Sequence, residues 1–229
     1  MVIFVRFVKT KKTKRRNGLP HTTKVVCICP NDFMKISVII PLHNSEETIG
    51  ECLNAVYNSD YKNYEVIVVD DCSSDDSVKI TKKFPCKVIR LDVNRGAAFT
   101  RNTGAKVAKG QILVFIDSDI VLKRNSLTLI AGALKSPKIS AVTGSFSKDS
   151  RYKNFTSQYK NLYVCYSYKY KPHYNSVFFT SIASIRRDIF NKLGGFDMHY
   201  KGASAEDVEF GLGIGAVAWA SKACCNRAS

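Results

Sequence analysis

Four places in the 229-residue chain gather side chains that handle charged small molecules: His43 and Asn44, Asp70 and Asp71, Asn94 and Arg95, and Asp117 and Asp119. Each follows a short apolar run. The triplet Asp117-Ser118-Asp119 is the most chemically pointed. Two carboxylates two residues apart in a tight turn can offer oxygens to one hard cation. Mg²⁺ and Mn²⁺ favour such ligands and leave coordination places for phosphate oxygens. Taken alone, the triplet reads first as a capped turn, and any single strand-end Asp as a cap or turn residue. Four successive polar strand ends make a site a better reading than coincidence. No G-x-x-x-x-G-K loop is present to cradle phosphates, so a metal would carry much of that work.

These residues need a scaffold that brings strand ends together. From Lys35 the chain alternates strand and helix signals. Lys35–Ile40, Glu65–Val69, Lys87–Leu91, Ile112–Ile116 and Ile139–Thr143 read as strands. Ile49, Cys52, Leu53, Val56 and Tyr57 share one helical face, with Ser45 expected as cap and Glu46 and Glu47 in the first turn. Ser74 is expected to cap a second helix, with Asp75 and Asp76 following it. Ala97–Ala108 reads as a third helix stopped by Gly110, and Asn125–Leu134 as a fourth. Strands alternating with helices imply crossovers and a mainly parallel sheet. In such sheets ligands bind beyond the carboxyl ends of the strands.

Length and an apolar content of 45% suit one domain with a sizeable core. No apolar run approaches the ~18 residues that cross a bilayer, and Met1–Val8 followed by a basic run reverses the order of a secretory signal. The expectation is a cytoplasmic protein, at or near the inner face of the membrane. The eight cysteines include no C-x-x-C pair, which argues for reduced thiols and against zinc. The net charge of +16 lies partly in Lys9–Arg16 and partly in Arg151–Lys171, where tyrosines alternate with lysines. Nucleic acid, an anionic membrane surface or a phosphorylated substrate could use it, as could water alone.

Six motifs then fall in order: Ser37-Val38-Ile39-Ile40-Pro41-Leu42-His43-Asn44; Val68-Val69-Asp70-Asp71-Cys72-Ser73-Ser74-Asp75; Asn94-Arg95-Gly96 with Arg101-Asn102-Thr103-Gly104; Phe115-Ile116-Asp117-Ser118-Asp119; Gly194-Gly195-Phe196-Asp197; and Glu206-Asp207. Together they resemble the family 2 glycosyltransferases, over Lys35 to about Leu212. The resemblance implies the GT-A fold, an α/β Rossmann-like, mainly parallel sheet flanked by helices. It implies a sugar transferred, with inversion, from a nucleotide sugar to a hydroxyl acceptor, as in cell-surface polysaccharide or glycolipid synthesis. Pro41, His43 and Glu46 would hold the nucleoside, and Asp71 would read the base, UDP being favoured because Asp71 suits a uracil N–H. Arg101 would lie near base and phosphates. Asp117 and Ser118 would lie near the ribose. Asp119, with Asp117, would bind Mn²⁺ or Mg²⁺. Asp207, with Glu206, would be the catalytic base. Gly194, Gly195 and Phe196 would form the turn on the acceptor side. For His43, Arg101 and Asp207, a surface loop, a solvated helix arginine and a helix N-terminal acid are the plain alternatives.

The expected domains are a basic, disordered extension over 1–33, a catalytic domain over 34–212 and a divergent tail over 213–229. Gly213 and Gly215 fall where the family continues a helix, so the tail is expected to leave that frame and put the activity of this chain in question. The segment Arg151–Lys171 is read as meeting the acceptor or a membrane, with a helix whose tyrosines pack on the core as the commoner alternative. The expected partners are a nucleotide-sugar donor, a carbohydrate or lipid-linked acceptor, and a peripheral membrane contact. Nucleic acid is not expected, because the acidic strand ends repel phosphate. A nucleotide-sugar-binding fragment without turnover, a basic nucleic-acid-binding protein and a nucleotidyl transferase are the alternatives. Met34, just before the first strand, is expected to be the biological start. An N-terminal mass of the native protein that includes residues 1–33 would contradict that.

Overall fold

The computed structural model describes residues 34–137, 139–144, 155–156, 158–159, 162–163, 166, 178–199, 207 and 209–214. The expectations for 1–33, for most of 145–177 and for 215–229 lie outside them. The elements run β1 (Ile36–Leu42), α1 (Ile49–Tyr57), β2 (Tyr64–Asp70), α2 (Ser77–Thr81), β3 (Lys87–Arg90), α3 (Ala97–Val107), β4 (Ile112–Ile116), α4 (Ser126–Leu134), β5 (Ala141–Thr143), β6 (Ile182–Arg186) and α5 (Arg187–Lys192). They build one six-stranded sheet in the order β3-β2-β1-β4-β6-β5. The first four strands in that order are parallel, β6 is antiparallel to β4, and β5 is antiparallel to β6. This is the expected mainly parallel α/β sheet.

Both faces are covered, which explains the unbroken apolar runs of β1 and β4. One core sets Ile36, Val38 and Ile40 against Cys52, Leu53 and Val56 of α1 and Leu127 and Ile130 of α4. The other sets Ile39, Leu113 and Phe115 against Ala98 and Ala105 of α3 and a cluster of Phe178, Phe190, Phe196 and Phe210. A Cβ on Gly104 would lie 2.5 Å from Ile39 Cγ2, so glycine lets α3 lie directly on the sheet.

Four local expectations are corrected. Ser45 does not cap α1, which starts at Ile49; its carbonyl accepts from Thr48 N and Ile49 N, closing a turn. Glu46 and Glu47 lie in that turn, and the acid in the first helical turn is Glu51. Ser74 does not cap α2, whose N-cap is Asp76; its N–H donates to Asn44 Oδ1 instead. Gly110 does not stop α3, which ends at Ala108 in extended geometry. Gly110 is small because a Cβ there would lie 2.5 Å from Ser37 N. Residues 209–214 are helical. Phe210 and Ile214 are buried in the second core. No helix among the described residues is long and apolar enough to cross a membrane.

Candidate active site

The chain leaves β1 for β2 and β3, then returns to β4 on the other side of β1. That reversal opens a crevice at the carboxyl ends of β1 and β4, where ligands bind in open α/β sheets. A cleft of about 280 Å³ lies there, lined by Pro41, Leu42, His43, Asp71, Ala97, Thr100, Arg101, Asp117, Ser118 and Asp119. Seven of the residues singled out from sequence thus meet in one place.

The loops after β1 and β2 are laced together. Asn44 takes a left-handed backbone (φ 44°), which Asn tolerates better than most residues. Its N–H donates to Ser73 Oγ at 3.0 Å and its Oδ1 accepts from Ser74 N at 2.9 Å. Ser45 N donates to Ser77 Oγ at 2.7 Å. Glu46 and the second loop exchange two bonds: Glu46 N donates to Asp75 Oδ2 at 3.0 Å, and Asp76 N donates to Glu46 Oε2 at 2.9 Å. Glu46 is therefore a clamp between loops and does not line the cleft. His43 Nδ1 lies 2.8 Å from the carbonyl of Asp71. A carbonyl only accepts, so Nδ1 carries the proton. Asn94 Nδ2, 3.3 Å from Nε2, can then donate to it.

Asp70 and Asp71 divide their work. Asp70 is fully buried, accepts from Ser73 N and pairs with Arg90 Nε at 3.3 Å, which shapes the turn. Asp71 Oδ1 accepts from Arg95 N at 2.7 Å and Oδ2 from Gly96 N at 2.8 Å. Its carboxylate thus fixes the Asn94-Arg95-Gly96 loop, and each oxygen keeps room for a further donor. Gly96, at φ 84°, provides the turn into α3.

Arg101 projects from α3 to the end of β4. Its side chain is only 6% exposed, and its Nη2 donates to Asp117 Oδ1 at 2.8 Å. The guanidinium carbon also lies 6.0 Å from the centre of the Phe196 ring. Ser118 Oγ donates to Ser45 Oγ at 2.8 Å, and Ser45 Oγ donates to the carbonyl of His43 at 3.0 Å, which couples the acidic turn to the first loop. Beneath that turn, Cys52 Sγ faces the carbonyl of Asp117 at 3.7 Å. Burial, then the charges of Asp119 and Asp117, push its thiol up to about 12, so it stays protonated.

Asp119 differs from Asp117. Among the described residues no ion pair joins it to a cation. Burial and the neighbouring Asp117 charge raise its carboxyl above the usual range. An accessible carboxylate beside another acid offers hard oxygen donors that fit a divalent cation such as Mn²⁺ or Mg²⁺. The described residues contain no cluster of three or more metal-ligating side chains, so the remaining ligands would come from elsewhere, as when phosphate oxygens complete the shell.

The Gly194-Gly195-Phe196 turn is held by a residue that sequence reasoning assigned no role. The Asn102 amide grips Phe196 twice: Nδ2 donates to its carbonyl at 2.7 Å, and Oδ1 accepts from its N–H at 2.9 Å. Gly194 and Gly195 both have positive φ, and a Cβ on Gly195 would lie 2.8 Å from Asn102 Oδ1. Asn102 stands next to Arg101 in the motif, and that adjacency was the available signal. Asp207 is helical and half-buried, and its carbonyl accepts from Phe178 N at 3.2 Å. Phe210, three residues on, packs with its ring centre 4.6 Å from that of Phe196 at a tilt of 36°, which anchors that helix to the Gly-Gly-Phe turn. Asp207 does not line the cleft. Glu206 lies outside the described residues.

Comparison with known proteins gives the same picture. The family model for glycosyl transferase family 2 matches residues 37–194. The poly(ribitol-phosphate) beta-N-acetylglucosaminyltransferase TarS of Staphylococcus aureus is 40% identical over 102 residues, which is 42% of this chain and 18% of TarS. The UDP-Glc:alpha-D-GlcNAc-diphosphoundecaprenol beta-1,3-glucosyltransferase WfgD of Escherichia coli is 34% identical over 119 residues, 51% of this chain and 47% of WfgD. Among solved structures, the mannosyltransferase PcManGT of Pyrobaculum calidifontis, in complex with GDP-Man and Mn²⁺, superposes with a TM-score of 0.61 at 25% identity, over 82% of this chain and 54% of that one. TarS in complex with UDP-GlcNAc gives 0.60 at 27%, over 79% and 53%. The chain thus spans about half the length of these solved structures, and less than half of the two sequence relatives.

Removing the Asn102 clamp strands both backbone groups of the buried Phe196. Asn102→Ala is expected to cost about 2 kcal/mol or more in urea unfolding. A cost below about 0.5 kcal/mol, the level of an ordinary surface change, would show that the clamp does not hold the turn.

Proposed function

Because the chain belongs to glycosyl transferase family 2, we propose that it moves a hexosyl group from a UDP-sugar to a hydroxyl acceptor with inversion at the anomeric carbon. The observation that carries this reading is the convergence of Asp71, Arg101, Asp117, Ser118 and Asp119 on one cleft at the reversal of strand order.

In this reading the nucleoside lies against Pro41 and His43, and Asp71 accepts a hydrogen bond from the uracil N–H while still holding the loop after β3. Arg101 holds Asp117 in place and keeps positive charge beside the diphosphate. Ser118 and Asp117 face the ribose. Asp119, with Asp117, would hold Mn²⁺ or Mg²⁺, which would neutralise charge gathering on the departing diphosphate. The complex of PcManGT with GDP-Man and Mn²⁺ and that of TarS with UDP-GlcNAc support this assignment.

The acceptor oxygen attacks the anomeric carbon. The bond from that carbon to the diphosphate oxygen breaks, and its electron pair leaves with the nucleotide. The acceptor proton passes to Asp207, with Glu206 beside it. A single displacement inverts the carbon. The acceptor is a carbohydrate or a lipid-linked sugar of cell-surface polysaccharide or glycolipid synthesis, a reading supported by the substrates in the names of TarS and WfgD.

Calorimetry with UDP tests the donor site. Binding is expected only with Mn²⁺ or Mg²⁺ present, and Asp119→Ala is expected to weaken it by about tenfold or more. UDP binding that ignores the metal, or that survives the substitution, would remove Asp119 from the site. GDP and dTDP arms decide whether the base preference is for uracil.

A further inference from the structure

A long connection, residues 144–181, joins β5 to β6. Within it, residues 155, 156, 158, 159, 162, 163 and 166 are helical. Phe155, Tyr159, Leu162, Tyr163 and Tyr166 are spaced by threes and fours, or adjacent, and so share one face of that helix. Such a stripe normally packs on a core. Here it faces water: Phe155 is 82% exposed, Tyr159 61%, Tyr166 56%, Leu162 48% and Tyr163 44%. The rings form a ladder, with Phe155 stacked on Tyr159 at 6.1 Å and Tyr159 on Tyr163 at 6.3 Å. A contiguous exposed apolar face of this kind marks an interaction surface.

We infer that this aromatic face docks on an anionic phospholipid membrane. Charge argues for that occupant. Residues 151–171 carry Arg151, Lys153, Lys160, Lys169 and Lys171 and no Asp or Glu, in a chain of net charge +16. A segment whose sequence carries basic residues only, around an apolar helical face, matches a surface of acidic head groups over acyl chains. Ring type points the same way, since tyrosine sets an apolar body and a polar tip at the head-group level.

Topology gives the surface its use. The connection leaves the sheet after Thr143 and re-enters at Ile182, whose register partner is Ile116 at the end of β4. Asp117 N donates to the carbonyl of Ser181, the last residue of the connection, at 3.3 Å. The connection that carries the aromatic face thus ends at the rim of the cleft. This inference goes beyond the donor chemistry and can be tested whether or not the chain binds a nucleotide.

The test uses the full chain with phosphatidylcholine vesicles, with and without phosphatidylglycerol. Wild type is expected to co-sediment with the anionic vesicles and to ignore the neutral ones. Phe155→Ser with Tyr159→Ser is expected to lower that partitioning about tenfold, with an unchanged circular dichroism spectrum. A second arm places an indole in the face by Tyr159→Trp. Its emission is expected to shift to the blue on anionic vesicles and to be quenched by brominated acyl chains, against the wild-type background of Trp219. Three results would overturn the inference: no binding to anionic vesicles, undiminished binding of the double variant, or an indole that lipid bromines do not quench. A blue shift that needs only higher protein concentration would assign the face to a second copy of the chain instead.

Discussion

A guanidinium buried to 6% exposure must be neutralised, and Asp117 does this for Arg101 at 2.8 Å. With its cation so far from water, the pair is costly to break on the Asp117 side. The pair therefore fixes the distance between α3 and the turn after β4. It engages Asp117 Oδ1, whereas no ion pair among the described residues joins Asp119 to a cation. The helix that carries Arg101 is itself immobilised, since Gly104 lets it sit against Ile39 without an intervening side chain. Asn102, one residue on, grips the backbone of Phe196. Two adjacent residues of one helix thus set both the turn after β4 and the Gly-Gly-Phe turn, and Phe196 lies under the guanidinium between them.

The loops after β1 and β2 are ordered by a different device. Asn44 and Cys72 both adopt left-handed backbones at the ends of β1 and β2. Such conformations persist when their surroundings over-determine them. Here the surroundings are mutual: Asn44 holds Ser73 and Ser74, Ser45 meets Ser77, and Glu46 exchanges bonds with Asp75 and Asp76. Asp71 extends the same network to the loop before α3. A site whose polar groups already hold one another loses little freedom when a ligand arrives.

Much of this was legible in the sequence, for physical reasons. Central strands buried on both faces are continuous apolar runs, so β1, β2 and β4 read clearly, and the polar residues that end them mark the cleft. What stayed hidden depended on tertiary partners. β6 contains Ala183 and Ser184, weak strand formers; Ser184 is tolerated because its hydroxyl reaches the Val142 carbonyl. Ser45 and Ser74 have the chemistry of helix caps, but their hydroxyls find other partners, Ser45 Oγ the His43 carbonyl and Ser74 Oγ the Asn44 side chain, and sequence offers no view of that competition. The same holds for Glu46, whose bonds to the second loop are invisible in the sequence. Asn102 was visible as a residue and invisible as a clamp, because its partner lies 94 positions away.

The most direct measurement is a crystal of the chain grown with UDP and Mn²⁺, with anomalous scattering collected at the manganese edge. One manganese peak is expected beside the Asp119 carboxylate, touching the diphosphate, with the uracil edge against Asp71. A nucleotide bound away from the ends of β1 and β4, or a manganese peak remote from Asp119, would contradict the assignment of this cleft as the donor site.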